Sequence, residues 1–389
     1  MTTRTAVFWD DAMLAYNFGR SHPMNPVRLD LTMRLASDLG VLDHLEVVSP
    51  EPADVDELAR VHTAEFIQAV QQASRTPQDA AYQHGLGTPD VPAFEGMHEA
   101  SAMIAGATLA AARAVHEGEL AHGISPAGGL HHAMPDAAAG FCVYNDVALA
   151  IAFLLDAGVE RVAYVDVDVH HGDGVEHIFW NDPRVMTISI HESPRSLYPG
   201  TGWSDDVGGP SAQGFSVNIP LPAGTGDTGW LRALCSVAPQ LLAAFSPQVV
   251  VSQHGCDSHV RDPLAHLSLS IDGQRRAAEL VHNWAHEFAG GKWVASGGGG
   301  YAVVDVVPRI WTLLMAELSG HPIPAETPVP EAWRRYVAER LDQVAPLRMT
   351  DGATPVVSDW SAGYDPADPV DRAISSTRRA VFPHQGLSG

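Results

Sequence analysis

The chain has 389 residues, 46% of them hydrophobic and 18% charged, and a formal net charge of -23. Such a composition supports a sizeable core and excludes wholesale disorder, while the acidic balance excludes a general nucleic-acid binder, which needs a basic footprint. The length admits one large α/β domain or two smaller ones. Three cysteines, Cys142, Cys235 and Cys256, are too scattered for a disulfide framework or a CxxC zinc site, and read as reduced structural thiols of a cytoplasmic protein. Residues 1–10 lack an apolar signal core, and no window approaches the roughly 18 uninterrupted apolar residues of a spanning helix. The expectation is a soluble, intracellular chain with no membrane or nucleic-acid partner.

In chain order, a strand is expected at 5–9, then helices at 26–39, 56–73 and 98–116. A strand at 121–125, a helix at 146–157 and strands at 161–168 and 185–191 follow, then alternating helix and strand at 228–245, 248–253, 272–289 and 292–296, and a helix at 303–318. In 146–157, Val147, Ile151, Leu154 and Leu155 recur at helical spacing. This alternation predicts a mostly parallel sheet covered on both faces. From Gly320 onward the chain collects Pro, Asp and Ser, and one short helix is expected at 331–344. Residues 321–389 are read as an extension to a 1–320 domain, either packed on it or partly disordered.

The most informative stretch is Tyr164-Val165-Asp166-Val167-Asp168-Val169-His170-His171-Gly172-Asp173. As a strand it puts the valines on one side and Asp166, Asp168 and His170 at two-residue steps on the other. Burying two carboxylates with an imidazole is unfavourable unless they are paired or hold a cation. The run Val249-Val250-Val251-Ser252-Gln253-His254-Gly255-Cys256-Asp257 again ends an apolar strand in an acid. Asp168, His170 and Asp257 therefore form a candidate O,O,N metal set with an open position. Zinc leads, and Fe(II) or Co(II) also suits these donors.

Glycine- and proline-rich connections at 126–140, 198–214, 255–266 and 297–301 each follow an expected strand. In open parallel sheets the ligand site lies beyond the carboxyl ends of the strands. Gly128-Gly129-Leu130-His131-His132 brings two histidines to that edge, where Asp166 and Asp173 are surplus to the ligand set. A carboxylate on each imidazole fixes its tautomer and raises its basicity. An activated water beside such a base and acid is equipment for hydrolysing a carbonyl compound. Ser296-Gly297-Gly298-Gly299-Gly300-Tyr301 lacks the spacing of a phosphate loop and can instead bring Tyr301 close, either as an oxyanion donor or as a core aromatic.

Taken in order, Gly128–His132, Gly140-Phe141-Cys142-Val143-Tyr144-Asn145-Asp146, Asp166–Gly174, Tyr198-Pro199-Gly200-Thr201-Gly202, Asp257 and Gly297–Tyr301 resemble the histone deacetylase superfamily. The resemblance runs from about residue 5 to about residue 320. His22-Pro23-Met24-Asn25-Pro26-Val27-Arg28 and the Val143–Asp146 variant are most similar to the bacterial acetoin-utilization branch, which is class I-like. The resemblance implies the three-layer arginase/deacetylase fold, α/β with a central, mainly parallel eight-stranded sheet.

The same resemblance implies metal ligation by Asp168, His170 and Asp257. It pairs His131 with Asp166 and His132 with Asp173, makes His132 the general base and acid, and gives Tyr301 the acyl carbonyl. Gly140, Phe141 and Tyr198 are implied walls of a lysine tube, with Leu264 near the rim. Phenylalanine is usual where Tyr198 stands. Asp90 is implied to grip the substrate backbone, and Arg28 to line an acetate-release cavity. Ser189, with backbone oxygens around Asp166, Asp168, His170 and Ile190, is implied to bind a monovalent cation, normally K+.

The expected reaction is zinc-dependent removal of acetyl groups from Nε-acetyl-lysine of a protein or peptide, with an acyl-CoA synthetase as a family-type partner. Acetylpolyamine hydrolysis and a non-catalytic acetyl-ligand sensor are the alternatives. Two-metal ureohydrolysis is disfavoured, because Gly172 and His259 stand where its extra acids belong. Oligomeric state is not legible.

Overall fold

The computed structural model describes residues 4–389. Its strands are β1 (Thr5–Phe8), β2 (Glu46–Val48), β3 (His122–Ser125), β4 (Val162–Asp166), β5 (Val185–Glu192), β6 (Ser216–Leu221), β7 (Val249–Gln253) and β8 (Trp293–Ser296). They form one eight-stranded sheet in the order β2-β1-β3-β8-β7-β4-β5-β6. Every ladder is parallel, so the mainly parallel sheet read from the sequence is parallel throughout.

The helices are α1 (Val27–Asp38), α2 (Val55–Leu58), α3 (Ala64–Arg75), α4 (Met97–His116), α5 (Asp146–Asp156), α6 (Asp173–Phe179), α7 (Asp227–Phe245), α8 (Ile271–Ala289), α9 (Val307–Leu318), α10 (Glu331–Leu341) and α11 (Pro369–Val381). One layer joins α3, α4 and α5 against β1, β3, β4, β7 and β8, and the other joins α1, α9, α8, α7 and α11 against the opposite face. Burial on both faces explains the unbroken apolar character of β4 and β7, since an all-parallel sheet has no solvated side. Among the described residues no helix is long and apolar enough to cross a membrane. Cys142, Cys235 and Cys256 are buried and free.

Topology places the site. The four central neighbours β3, β8, β7 and β4 come from four distant parts of the chain. The loops leaving their carboxyl ends begin at Pro126, Gly297, His254 and Val167. A parallel sheet delivers all four to one edge, and in open α/β sheets ligands bind in the crevice beyond the strands' carboxyl ends.

Several boundaries differ from expectation for local reasons. The expected helix 56–73 is two helices: Asp54 and Glu57 form a capping box that starts α2, and the Thr63 side chain accepts from Phe66 N to start α3. β4 stops at Asp166, the Val167 amide making the last ladder bond to Gln253 O, so Asp168 and His170 lie on a loop. α9 begins at Val307, with Pro308 in its first turn, rather than at 303. β6 went unrecognised because Pro220 interrupts it. It is an edge strand, where a missing N–H is tolerated.

Candidate active site

Asp168, His170 and Asp257 converge. One ligand atom from each lies within 4.8 Å of the others, and all three residues are buried. His170 Nδ1 faces Asp168 Oδ1 and Asp257 Oδ2, both at 3.1 Å. Both carboxylates are aimed by amide donors. Asp168 Oδ2 accepts from Gly299 N (2.8 Å) and Gln253 Nε2 (2.7 Å), and Asp257 Oδ1 accepts from Val169 N (3.0 Å). Gly299 has no alternative here: a Cβ would run into Asp257 Oδ2 and sit 2.8 Å from Asp168 Oδ2.

Electrostatics show what the set favours. Burial raises Asp257 to about 6, helped by the neighbouring Asp168 charge. Burial also works against Asp168, but His131 and His170 outweigh it and hold Asp168 well below the usual carboxylate range. Burial alone would lower His170, yet the two aspartates raise it to about 10. Two buried carboxylates thus draw a positive charge between them, and an O,O,N donor set fits a divalent ion of the zinc type.

Two imidazole–carboxylate dyads lie beside this triad. His131 Nδ1–H donates to Asp166 Oδ2 at 2.8 Å, and His132 Nδ1–H donates to Asp173 Oδ1 at 2.6 Å. The two rings face each other through Nε2 at 3.1 Å. Burial opposes charge on His131, but Asp166 and Asp168 prevail and raise it to about 9. Burial and the His131 charge together lower His132. One histidine is thereby held as a cation and its neighbour as a neutral base, which separates their roles physically.

Tyr301 closes one side. Burial, with Asp257 and Asp168 nearby, raises its phenol well above the ordinary value, so it stays a hydroxyl donor at neutral pH. Its ring meets Phe141 edge-on, with centroids 5.7 Å apart. On the other side the exposed Tyr198 ring packs edge-on against His132 at 5.1 Å. Gly140 adopts φ +54, and a Cβ there would collide with the His132 ring, so only glycine fits this wall. Asp90 Oδ2 accepts from Gly140 N at 2.8 Å, which puts this acid at the same wall. Leu264 lies partly exposed in the loop after Asp257, its amide donating to Asp262 Oδ1.

Arg28 is buried beneath the glycine run. It donates to Gly298 O (2.9 Å) and Gly300 O (3.0 Å), stacks over Trp311, and lines a small cavity with Tyr16, Met24, Leu29 and Ala127. Ser189 stands opposite Asp166 in the β4–β5 register, followed by Ile190, and its hydroxyl bonds His191 Nδ1 at 2.9 Å.

The site also depends on residues to which the sequence reading gave no role. Gln253 braces Asp168, the Tyr164 hydroxyl donates to Asp166 Oδ2 at 2.7 Å, and Asp262 Oδ2 accepts from Tyr301 N at 2.8 Å. Asp146 accepts from Gly129 N and Leu130 N and so shapes the loop that carries both histidines. Asp146 and Gln253 lay inside quoted motifs, so polar residues at strand ends and helix starts were the available signal.

The chain is similar to known proteins over most of its length. The histone deacetylase domain family matches residues 22–318. The chain belongs to that family. Its relatives include the acetoin utilization protein AcuC of Bacillus subtilis, 43% identical over 330 residues that cover 83% of this chain and 85% of that protein. The AcuC proteins of Staphylococcus xylosus and Staphylococcus aureus are 37% and 34% identical, covering 86% and 90% of this chain and 87% and 91% of theirs. Within the histone deacetylase superfamily the chain thus falls in the AcuC-like branch and is of a hydrolase family. The Asp168–His170–Asp257 group is its candidate metal-binding set.

Proposed function

We propose that this deacetylase-family protein is a zinc-dependent amidohydrolase that cleaves Nε-acetyl-lysine in protein or peptide substrates and releases acetate. The observation that carries the reading is the meeting of a buried O,O,N triad with two imidazole–carboxylate dyads and a protonated tyrosine. A divalent ion held by Asp168, His170 and Asp257 would supply Lewis acidity at the acyl carbonyl and make water more acidic.

The chain's own groups account for the remaining chemistry. Neutral His132, with Nδ1 committed to Asp173, is left with Nε2, which faces His131 Nε2, as the nitrogen that would take a proton from the attacking water and return it to the leaving amine. His131, kept cationic by Asp166, favours the negative charge that develops on the acyl oxygen. The Tyr301 hydroxyl donates to that oxygen, the kind of contact whose loss reduces turnover about 10²–10³-fold. Gly140, Phe141 and Tyr198 would line the approach of the lysine stem, whose burial contributes roughly 0.8 kcal/mol per methylene. Asp90 would hold the substrate backbone, and Arg28 the departing acetate. Potassium bound around Ser189, an acyl-CoA synthetase as protein substrate and a cytoplasmic location complete the proposal, and the acetoin-utilization name of the relatives is compatible with such a substrate.

Acetate release from an acetyl-lysine peptide by zinc-loaded protein tests the reading. His132→Ala and Tyr301→Phe should each lose at least about 100-fold in kcat. Equal turnover by all three proteins rules the assignment out, and preference for N-acetylputrescine over the peptide redirects it to acetylpolyamines.

A further inference from the structure

A second cluster of imidazoles lies at the opposite end of the sheet from the candidate active site. His122 opens β3, whereas the active-site loops leave the strands' carboxyl ends. His282 and His286 stand one helical turn apart on α8 and present one face. Their Nε2 atoms converge: His286 Nε2 lies 3.2 Å from His122 Nε2 and 3.2 Å from His282 Nε2. Nitrogens about 2.0–2.1 Å from a tetrahedral zinc-type ion stand about 3.3 Å apart.

The outer nitrogens set the tautomers. His122 Nδ1 lies 2.8 Å from Leu318 O, which only accepts, so Nδ1 carries the proton and neutral Nε2 is a lone pair. His282 Nδ1 lies 2.8 Å from Glu317 Oε1, which imposes the same tautomer. His286 can place at most one N–H between two such lone pairs, so the triangle cannot satisfy itself. The rings are also held in place: Trp293, paired with His122 across β3 and β8, stacks on His282 with centroids 5.2 Å apart.

We propose that His122, His282 and His286 form a second divalent-metal site of the zinc, nickel or copper type, oriented by Glu317 and Leu318 O and open to solvent beside the exposed His286. Bound there, the ion clasps β3, α8 and the end of α9, and stabilises the fold in proportion to its occupancy. No residue of the candidate active site takes part.

The test uses full-length protein without an affinity tag, stripped by chelator, reloaded with Zn2+ and assayed for bound metal. His286→Gln, a change at an exposed position, should lower the zinc content by one ion per chain in the wild type. It should do so equally in an Asp168→Asn/His170→Ala background, which separates this site from the catalytic candidate. Glu317→Gln should weaken zinc affinity by about 10–100-fold without abolishing binding. Zinc should also raise the Tm of the Asp168→Asn/His170→Ala protein, and His282→Gln should remove that rise. A zinc content unchanged by His286→Gln overturns the proposal, as does a Tm response that survives in His282→Gln.

Discussion

Asp262 belongs to no motif, yet its two oxygens accept from the amides of Leu264 at 3.0 Å and Tyr301 at 2.8 Å. It thereby ties the loop after β7 to the loop that carries the tyrosine. Burial and the Asp257 charge raise it to about 7, so it is shared between carboxylate and acid at neutral pH. Asp262→Ala should free Tyr301 and lower kcat by about 10–100-fold, the range typical of groups that orient others, with KM little changed. Asp262→Asn keeps an acceptor and resembles the protonated acid, so it should recover most of the turnover. Steady-state kinetics on the two variants decide, and a loss confined to KM would refute a positioning role. Residues such as Asp168, His170 and Asp257 were legible because ionisable groups ending apolar runs need a reason to be there. Asp262 was not, because its partner Tyr301 lies on a loop far away in sequence, while Gln253 and Tyr164 stood inside the quoted runs and took their roles only from the carboxylates that the fold sets beside them.

At the level of elements, β-branched runs and helical spacing located six of the eight strands, while the two missed strands lie at the sheet edges. Edge strands have one ladder partner and are short or proline-bearing, which weakens their pattern. The connection through Asp351 was invisible for another reason, since it joins segments far apart in sequence. Its carboxylate accepts from His259 Nε2, Ile271 N and Arg309 Nη1, each at 2.9 Å, and so joins the loop after β7 to α8 and α9. His259 stands where two-metal ureohydrolysis would need an acid, and here it serves this connection. Burial works against Asp351, but His259, the Ile271 amide and Arg309 outweigh it and hold the carboxyl well below the usual range. Asp351→Ala should therefore destabilise the protein by about 1–3 kcal/mol, since Arg309 and His259 are buried and lose an acceptor. A depressed folded-state value means the stabilisation is complete above the unfolded value of about 3.9 and is lost as pH falls through the folded one. Urea titrations should show a constant gap between wild type and variant from pH 7 to about pH 5, closing in stronger acid.

Across the whole molecule, composition separated residues 320–389 from the rest, yet the packing does not. Trp333 and Val337 of α10 are buried, with Trp333 Nε1 donating to Leu31 O at 2.9 Å. α11 lies on α7 and β6. Its Thr377 hydroxyl donates to Asn218 O at 2.6 Å, and Asp371 holds Arg232 through two hydrogen bonds of 2.6 and 3.1 Å. Asp368 caps the helix, Pro369 begins it, and Val370, Ile374 and Val381 form its buried stripe. Those signals were present in the sequence but diluted by the Pro and Asp around them. Burying Val370, Ile374, Val381 and Phe382 is worth about 1.5–3 kcal/mol each, or about 6–12 kcal/mol together. That sum rivals the total stability of an ordinary domain, about 5–15 kcal/mol. A chain ending at Gly363 should consequently lose its cooperative thermal transition and expose α7 to aggregation. Ile374→Ala, which removes one of the four, should remain soluble and lose about 2–4 kcal/mol in denaturant unfolding. If the shortened chain melts at the wild-type temperature, α11 contributes nothing to the core it covers, and the burial argument fails at this scale.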